Sequence, residues 1–390
     1  MSSEKYGNTV YFDNAATTFP KPQSVIMSAL DCMERYCGNP GRGSHSIAMM
    51  SSEKVYEARE ALADTFGCSE ERVIFTFNTT YALNMAIKGV MKSGGHALIS
   101  NLEHNSVLRP LHELSVSRAV SYGIFTAYDR AKTLSSKDII DNIISKLRQD
   151  TKAIICLHSS NICSYTLPIR EIGQLCRRHG ITFIVDAAQS AGHIDINMER
   201  DMIDILCLPA HKGLYSPQGC GIMLVGDKIS QHFPTLIEGG NGYNSLSPTM
   251  GNIFPERMEG GTLCTPAIAG LVSGIGFIKN LGIDRIAEHE RNLWTHAYDR
   301  LSDISEVEIY DDHSGSVLLF NIKGIHADTL GNELNERGFC LRSGYHCAPL
   351  AHRALGTPEG GAVRLGFGIF NTTDEVDMLC DSVLDIVKRS

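Results

Sequence analysis

Several short segments hold residue types that could act on a small molecule. Asp186 ends the apolar run Thr182–Val185, where a carboxylate is expensive to bury without a cation or hydrogen-bond donors. Lys212, in Pro209-Ala-His-Lys-Gly213, follows another apolar run; a desolvated lysine has a depressed pKa and forms Schiff bases with carbonyls, although most lysines simply solvate a surface. Asn78, Thr79 and Thr80 open a helical stretch, and the free backbone N–H groups of a helix start suit a phosphate; an N-cap is the plainer explanation. His104, in Leu102-Glu-His-Asn105, could stack on a ring or carry a proton, or merely be a satisfied loop residue. Ser159, Ser160 and Asn161 offer hydroxyls and an amide, with a turn as the alternative. Cys347 stands in a short glycine-containing loop with Arg342 and His346, and nearby positive groups favour the reactive thiolate; in isolation an inert packed thiol is the plainer explanation.

Each item is weak by itself. Together, phosphate donors, a stacking histidine, an amide, a carboxylate and a lysine match what pyridoxal phosphate requires: the phosphate at the helix start, the protonated pyridine nitrogen at the carboxylate, and the aldehyde carbon at the lysine. The separation of Asp186 and Lys212, 212 − 186 = 26 residues, leaves room to bring two neighbouring strand ends to one ring. No metal is expected. Cys176 with His179 is a lone half-site, and His289-Glu290 with His296 lacks the i, i+4 spacing of a zinc helix.

The elements that must position these residues can be read from Val73 onward. Apolar or β-branched runs alternate with helical periods: Val73–Phe77 then Tyr81–Met91, Ala97–Ser100 then Val107–Leu114, Ala153–His158 then Ile169–Arg178, followed by Thr182–Asp186, Asp204–Leu208 and Gly221–Val225. That alternation predicts an α/β fold, a mainly parallel sheet with helices on both faces. Between Lys132 and Gln149 the apolar residues fall at a 3.6 period and predict a surface helix. After about Leu271 come two helical segments, Ala267–Leu281 and Ile286–Leu301, then Val307–Tyr310, Val317–Ile322, and helices over His326–Glu336 and Asp374–Lys388, the pattern of a smaller α+β domain. Ligands of open α/β sheets sit outside the carboxyl ends of the strands, which is where the residues above fall.

The 390 residues, 43% hydrophobic and 20% charged, describe an ordinary globular chain without the apolar run of ~18 residues that a membrane span needs. The net charge of −9 argues against nucleic acid or an anionic membrane surface as partner and leaves a small molecule. The polar start, Met1 to Thr9, lacks the features of a signal peptide, so a cytoplasmic location is expected. Twelve scattered cysteines are too few for a disulfide scaffold, and Cys156, Cys207 and Cys220 lie in apolar runs as small hydrophobes.

Longer motifs run nearly end to end: Tyr11-Phe-Asp-Asn-Ala-Ala-Thr-Thr18, Asn39-Pro-Gly-Arg-Gly-Ser-His45, Asn78-Thr-Thr80, Glu103-His-Asn105, Ser160-Asn161, Val185-Asp-Ala-Ala-Gln189, His211-Lys212, Glu259-Gly-Gly-Thr262, Arg342-Ser-Gly-Tyr-His-Cys-Ala348 and Val363-Arg364. In this order and spacing the chain resembles the cysteine desulfurases of the class V aminotransferase superfamily. The resemblance implies the pyridoxal-phosphate-dependent transferase fold type I: a large domain over 18–275 with a mainly parallel seven-stranded sheet, and a smaller α+β domain over 1–17 and 276–390 that carries the cysteine loop. It implies that Lys212 holds the cofactor and moves the Cα proton, Asp186 pairs with the pyridine nitrogen, Gln189 bonds the ring hydroxyl and His104 stacks on the ring and joins in catalysis. Thr79, Thr80 and His211 would bind the phosphate with Thr262 of the other protomer of a homodimer. Asn161 and Arg364, with Ala16, Arg342 and His346, would hold the substrate L-cysteine, and Cys347 would take its sulfur as a persulfide.

The short stretch Arg342 to Pro349, and Glu238-Gly-Gly240 with the Gly- and Asn-rich segment to Gly251, look like the Suf-type or group II branch. Its members commonly show selenocysteine lyase activity, usually hand sulfur to a separate acceptor protein, and feed iron-sulfur cluster assembly. Selenocysteine lyase, a cysteine C–S lyase without a stable persulfide, and another class V aminotransferase are the competing activities. Three departures stand out. Pro209 replaces a hydroxyl residue two positions before the His-Lys pair, Tyr345 replaces a first histidine before His346, and Ile162-Cys163 replaces small residues after the asparagine.

Overall fold

A computed structural model describes residues 9–41, 43–117, 119–243 and 245–389. The chain start read as lacking a signal peptide, with Arg42 and Asn244 of the quoted motifs, therefore lies outside the described residues, apart from Thr9. In chain order, β1 (Val10–Tyr11), α1 (Gln23–Arg35) and α2 (Ser46–Phe66) precede the alternating part. That part comprises β2 (Val73–Thr76), α3 (Thr79–Val90), β3 (Gly95–Ser100), α4 (Asn105–Ser117), β4 (Val120–Phe125), α5 (Ser136–Lys146), β5 (Thr151–Leu157), α6 (Ile169–His179), β6 (Thr182–Asp186), β7 (Ile205–Pro209) and β8 (Gly221–Val225). The remainder runs α7 (Thr265–Leu281), α8 (Ile283–Ser302), β9 (Val307–Ile309), β10 (Val317–Ile322), α9 (Ala327–Glu336), β11 (Phe339–Cys340), β12 (Arg342–Gly344), α10 (Pro349–Leu355), β13 (Ala362–Gly366) and α11 (Thr373–Arg389).

The large sheet has seven strands in the order β2-β8-β7-β6-β5-β3-β4, parallel except for β8, which is antiparallel to both neighbours. Its middle strands are apolar on both faces because both are covered, and period-2 alternation sorts the side chains into two cores. Ile154, Phe183, Val185 and Leu206 pack against α2, α5, α6 and α7, whereas Ala153, Ile155, Ile184 and Ile205 pack against α3 and α4. Cys156, Cys207 and Cys220 are buried within these layers.

A second sheet, β12-β13-β10-β9, is antiparallel throughout. Residues near the N-terminus lie beside it: β1 pairs with β11 in a separate two-stranded sheet, and Asp13 bridges to Gly366 at the end of β13. The division expected at residue 275 falls inside α7, which packs on α1 and α2. No single helix among the described residues is long and apolar enough to cross a membrane.

Three elements of the large layer were not located from sequence. Strand β4 lies at the sheet edge with a half-exposed Val-Ser-Tyr-Gly-Ile-Phe run, so apolar contrast is weak, and Gly123 sits where a Cβ would press on Leu98. Helix α1 buries Val25, Ala29 and Cys32 yet exposes Ile26, Met27, Leu30 and Met33, and α2 exposes Ile47, Met49, Met50 and Tyr56. Helices apolar on two faces give no clean amphipathic stripe. Conversely, the helix expected over Lys132–Gln149 is shorter, because Ser135 and Asp138 form a capping box that starts α5 at Ser136.

Candidate active site

A cavity of about 300 Å³ opens outside the carboxyl ends of β5, β6 and β7, walled by the start of α3, the loop before α4 and residues from β12 to β13. It brings together, in one chain, every residue expected there except Thr262. Thr262 lines a different crevice beside Phe77 and Cys264, 3.4 Å from the Asn39 amide.

Asp186 and Lys212 form the floor. Burial pushes the Asp186 carboxyl up to about 6, against the opposing pull of the Ala188 N–H, 2.9 Å from Oδ1, and of Lys212. Burial likewise pulls Lys212 down to about 8, helped by the Arg364 charge. An acid whose folded pKa lies above its unfolded value stabilises the fold only while protonated, so this contribution is lost as the pH rises from about 4 to about 6. Asp186→Asn should remove that slope: the cofactor-free variant matches the cofactor-free wild type near pH 4 and exceeds it in stability at pH 7. Urea unfolding at four pH values checks this, and parallel profiles would contradict it.

The motif Asn14 to Thr18 packs onto the lysine loop. The Thr17 and Thr18 hydroxyls and the Lys21 ammonium all donate to the His211 carbonyl, at 3.2, 3.2 and 2.6 Å, and Thr17 Oγ1 lies 3.0 Å from His211 Nδ1. Gly192 and Gly213 meet backbone to backbone, leaving no room for a Cβ at either position. Burial, followed by the Lys212 charge, lowers His211 to about 4. Pro209 lines the cavity at the end of β7 and donates nothing.

On the opposite wall, Asn78 caps α3 by accepting from the Tyr81 N–H at 3.0 Å, so the plain reading of this residue holds. The first amides of the helix, at Thr79 and Thr80, have no intrahelical acceptor and stand at the positive end of its dipole. Each residue of Glu103-His-Asn105 has its own task. Buried Glu103 accepts from the Leu157 N–H at 3.0 Å and ties the end of β3 to that of β5. His104 Nδ1 accepts from the Ser106 N–H at 3.0 Å, which leaves its proton on Nε2, and burial followed by the Lys212 charge lowers it to about 4, so the ring is neutral. The Asn105 N–H donates to the Cys347 carbonyl at 2.7 Å. Gln189 is turned to the Ala15 carbonyl, 2.9 Å away, beside Ala16 on the cavity wall.

Arg364 is buried, and its guanidinium bonds Asp13 Oδ1 at 3.0 Å and the Asn161 carbonyl at 3.0 Å. Arg342 reaches the other oxygen of Asp13 at 2.8 Å. Asp13 was missed as a functional residue, although it stands inside a quoted motif; nothing in sequence shows one carboxylate shared by two arginines more than 300 positions away. Arg364 and Asn161 line the cavity, and Arg364 Nε and Asn161 Oδ1 are buried without hydrogen-bond partners.

Exposed Cys347 and half-buried His346 sit at φ values of 56° and 48°, the left-handed region that costs roughly 1–2 kcal/mol for a residue with a Cβ. The loop is held on both sides: Asn161 Nδ2 donates to the His346 carbonyl at 2.9 Å and Asn105 to that of Cys347. Cys347 was expected between two positive groups, and this needs correction. Burial, followed by the Arg364 charge, lowers His346 to about 2, so it is neutral, and Arg342 is paired with Asp13.

The metal half-sites of the sequence are otherwise engaged: Cys176 is buried, His289 bonds the Asn371 carbonyl, and His296 bonds Asp377. Asp311, Asp312 and His313 lie close together elsewhere, with Asp311 already hydrogen-bonded to His313.

The sheet is mainly parallel and presents a half-buried lysine and a buried carboxylate at neighbouring strand ends, and the aminotransferase class-V family profile matches residues 10–379. A protein described as "probable cysteine desulfurase" from Methanothermobacter thermautotrophicus is 30% identical over 97% of this chain and 94% of its own length, and one from Pyrococcus abyssi is equally similar, with the same shares covered. The solved structure of the cysteine desulfurase of Thermococcus onnurineus superposes with a TM-score of 0.88 at 28% identity, covering 98% of this chain and 95% of its own. The chain belongs to the cysteine desulfurase family.

Proposed function

We propose that this protein converts L-cysteine to L-alanine with pyridoxal phosphate as cofactor, leaving the sulfur on Cys347. The observation that carries the reading is that a half-buried lysine and a buried carboxylate share one cavity with an exposed cysteine on a fixed loop. The donor set fits the cofactor. Asp186, costly as an anion, would gain a pyridinium N–H as partner, Lys212 loses its proton readily enough to capture an aldehyde, and the α3 start with Thr79, Thr80 and His211 would hold the phosphate. When bound, pyridoxal phosphate supplies an electron sink conjugated to the substrate's Cα.

The chain's own groups then divide the work. The Arg364 guanidinium and the Asn161 side-chain amide would orient the substrate carboxylate. His104, neutral and fixed by Ser106, would pack on the cofactor ring. Lys212 Nζ would take the Cα proton, a role matched to an amine whose pKa burial has lowered. The Cys347 thiolate would attack the substrate sulfur: an S–S bond forms, the Cβ–S bond breaks with its electron pair remaining on carbon, and a proton completes the methyl group. The net change, L-cysteine plus Cys347 thiol to L-alanine plus Cys347 persulfide, balances without an external oxidant.

A homodimer is part of the reading, supported by the apolar face of α1 and α2 and by Thr262 standing away from its own chain's cavity. So is a sulfur-acceptor protein meeting exposed Cys347 and Tyr345. The test is an assay of the protein with pyridoxal phosphate, L-cysteine and a thiol reductant and no keto acid. Alanine and sulfide should appear in equal amounts; alanine that forms only when an amino-group donor is added would refute the reading.

A further inference from the structure

His352 lies on α10, five residues after Cys347, and is buried. Its ring lies nearly parallel to that of His346, with centroids 5.4 Å apart and an interplanar angle of 13°. Its Nε2 is 3.1 Å from His346 Nδ1, and its Nδ1 is 2.9 Å from Thr357 Oγ1. At the far end of the chain, His346 Nε2 is 3.3 Å from the Arg342 carbonyl. The Tyr345 ring meets His352 edge-on at 5.4 Å and is itself held by the Gly360 N–H, which donates to its hydroxyl at 3.0 Å.

One carbonyl fixes every proton in this chain. A carbonyl only accepts, so His346 carries its proton on Nε2 and presents a lone pair at Nδ1. His352 must then donate from Nε2, which leaves its Nδ1 to accept the Thr357 hydroxyl proton. The alternative acceptor for that hydroxyl, the His352 carbonyl, is more distant at 3.3 Å and already receives the Thr357 N–H. Both rings are held neutral, His346 at about 2 and His352 at about 4, by burial and then by the Arg364 charge. The charged groups around them are Arg342 and Arg364, both paired with Asp13. His346 therefore has no free lone pair with which to serve Cys347 as a base.

We propose that His352 is a positioning residue for Cys347: by donating to His346 Nδ1 it locks that ring, and so holds the two successive left-handed residues that set the thiol on the cavity wall. This rests on the reading of Cys347 as the sulfur carrier, but the hold on the loop can be tested separately.

His352→Phe keeps an aromatic ring at this place and removes the donor. In the holoenzyme it should slow alanine formation about tenfold through kcat, with KM for cysteine and the cofactor absorption unchanged. His352→Gln, which retains a donor near the Nε2 position, should recover most of the rate. Independently of turnover, the rate of Cys347 alkylation by iodoacetamide at constant pH should rise in the Phe variant, because the His346 ring is no longer locked and the two left-handed residues that place the thiol are free to move. Thr357→Val, which removes only the hydroxyl that fixes His352, should show the same changes to a smaller extent and carries the test if the Phe variant fails to fold. Wild-type turnover and an unaltered alkylation rate in these variants would overturn the proposal. Full turnover in Cys347→Ala would instead refute the sulfur-carrier role and leave the alkylation result to decide on His352.

Discussion

Lys212→Ala is expected to abolish turnover, by at least about 10³-fold, because it removes at once the amine that captures the cofactor and the base that moves the substrate proton. Desolvation, followed by the Arg364 charge, lowers the Lys212 pKa to about 8, so near neutral pH a useful fraction is unprotonated, unlike that of a surface lysine. Borohydride treatment of the wild-type holoenzyme should fix the cofactor to the chain, and peptide mass analysis should find it on Lys212. The alanine variant should bind the cofactor only reversibly and give no labelled peptide. Lys212→Arg retains a positive charge without a nucleophile and should fail equally, which separates chemistry from electrostatics. Turnover within tenfold of wild type in either variant would remove Lys212 from the mechanism.

The second large effect is expected at Cys347. Cys347→Ala should lower alanine and sulfide formation from cysteine by at least about 10²-fold while leaving the cofactor's absorption and attachment intact. Incubation with sulfur-labelled cysteine should mark the wild type on Cys347 and leave the variant unmarked, although eleven of the twelve cysteines remain, 12 − 1 = 11. Cys347→Ser should behave like the alanine variant, since a hydroxyl is a far weaker nucleophile towards a thiol sulfur. Equal turnover by the variant and the wild type would mean that sulfur leaves directly, as in a C–S lyase.

The two effects differ in kind: loss of Lys212 strikes cofactor capture, whereas loss of Cys347 strikes only the acceptance of sulfur. A protein that kept the first behaviour and lacked the second would be another aminotransferase of this superfamily.

What the sequence determined by itself is local. Six runs of apolar residues, each bounded by polar or glycine-rich segments, sufficed to place six of the seven strands, because a strand covered on both faces needs no partner's identity to be apolar. The chemistry at their ends was legible for the same reason: Asp186, Lys212 and Thr79 are polar residues at the close of apolar runs, and an open α/β sheet gathers such strand ends at one crevice. Weak periodicity hid β4, α1 and α2, whose apolar residues lie on more than one face. Tertiary structure alone decided the state of each group. Charge depends on burial and on neighbours distant in sequence, so only the fold could neutralise His346, tie Arg342 and Arg364 to a common Asp13, and lay His352 against the cysteine loop.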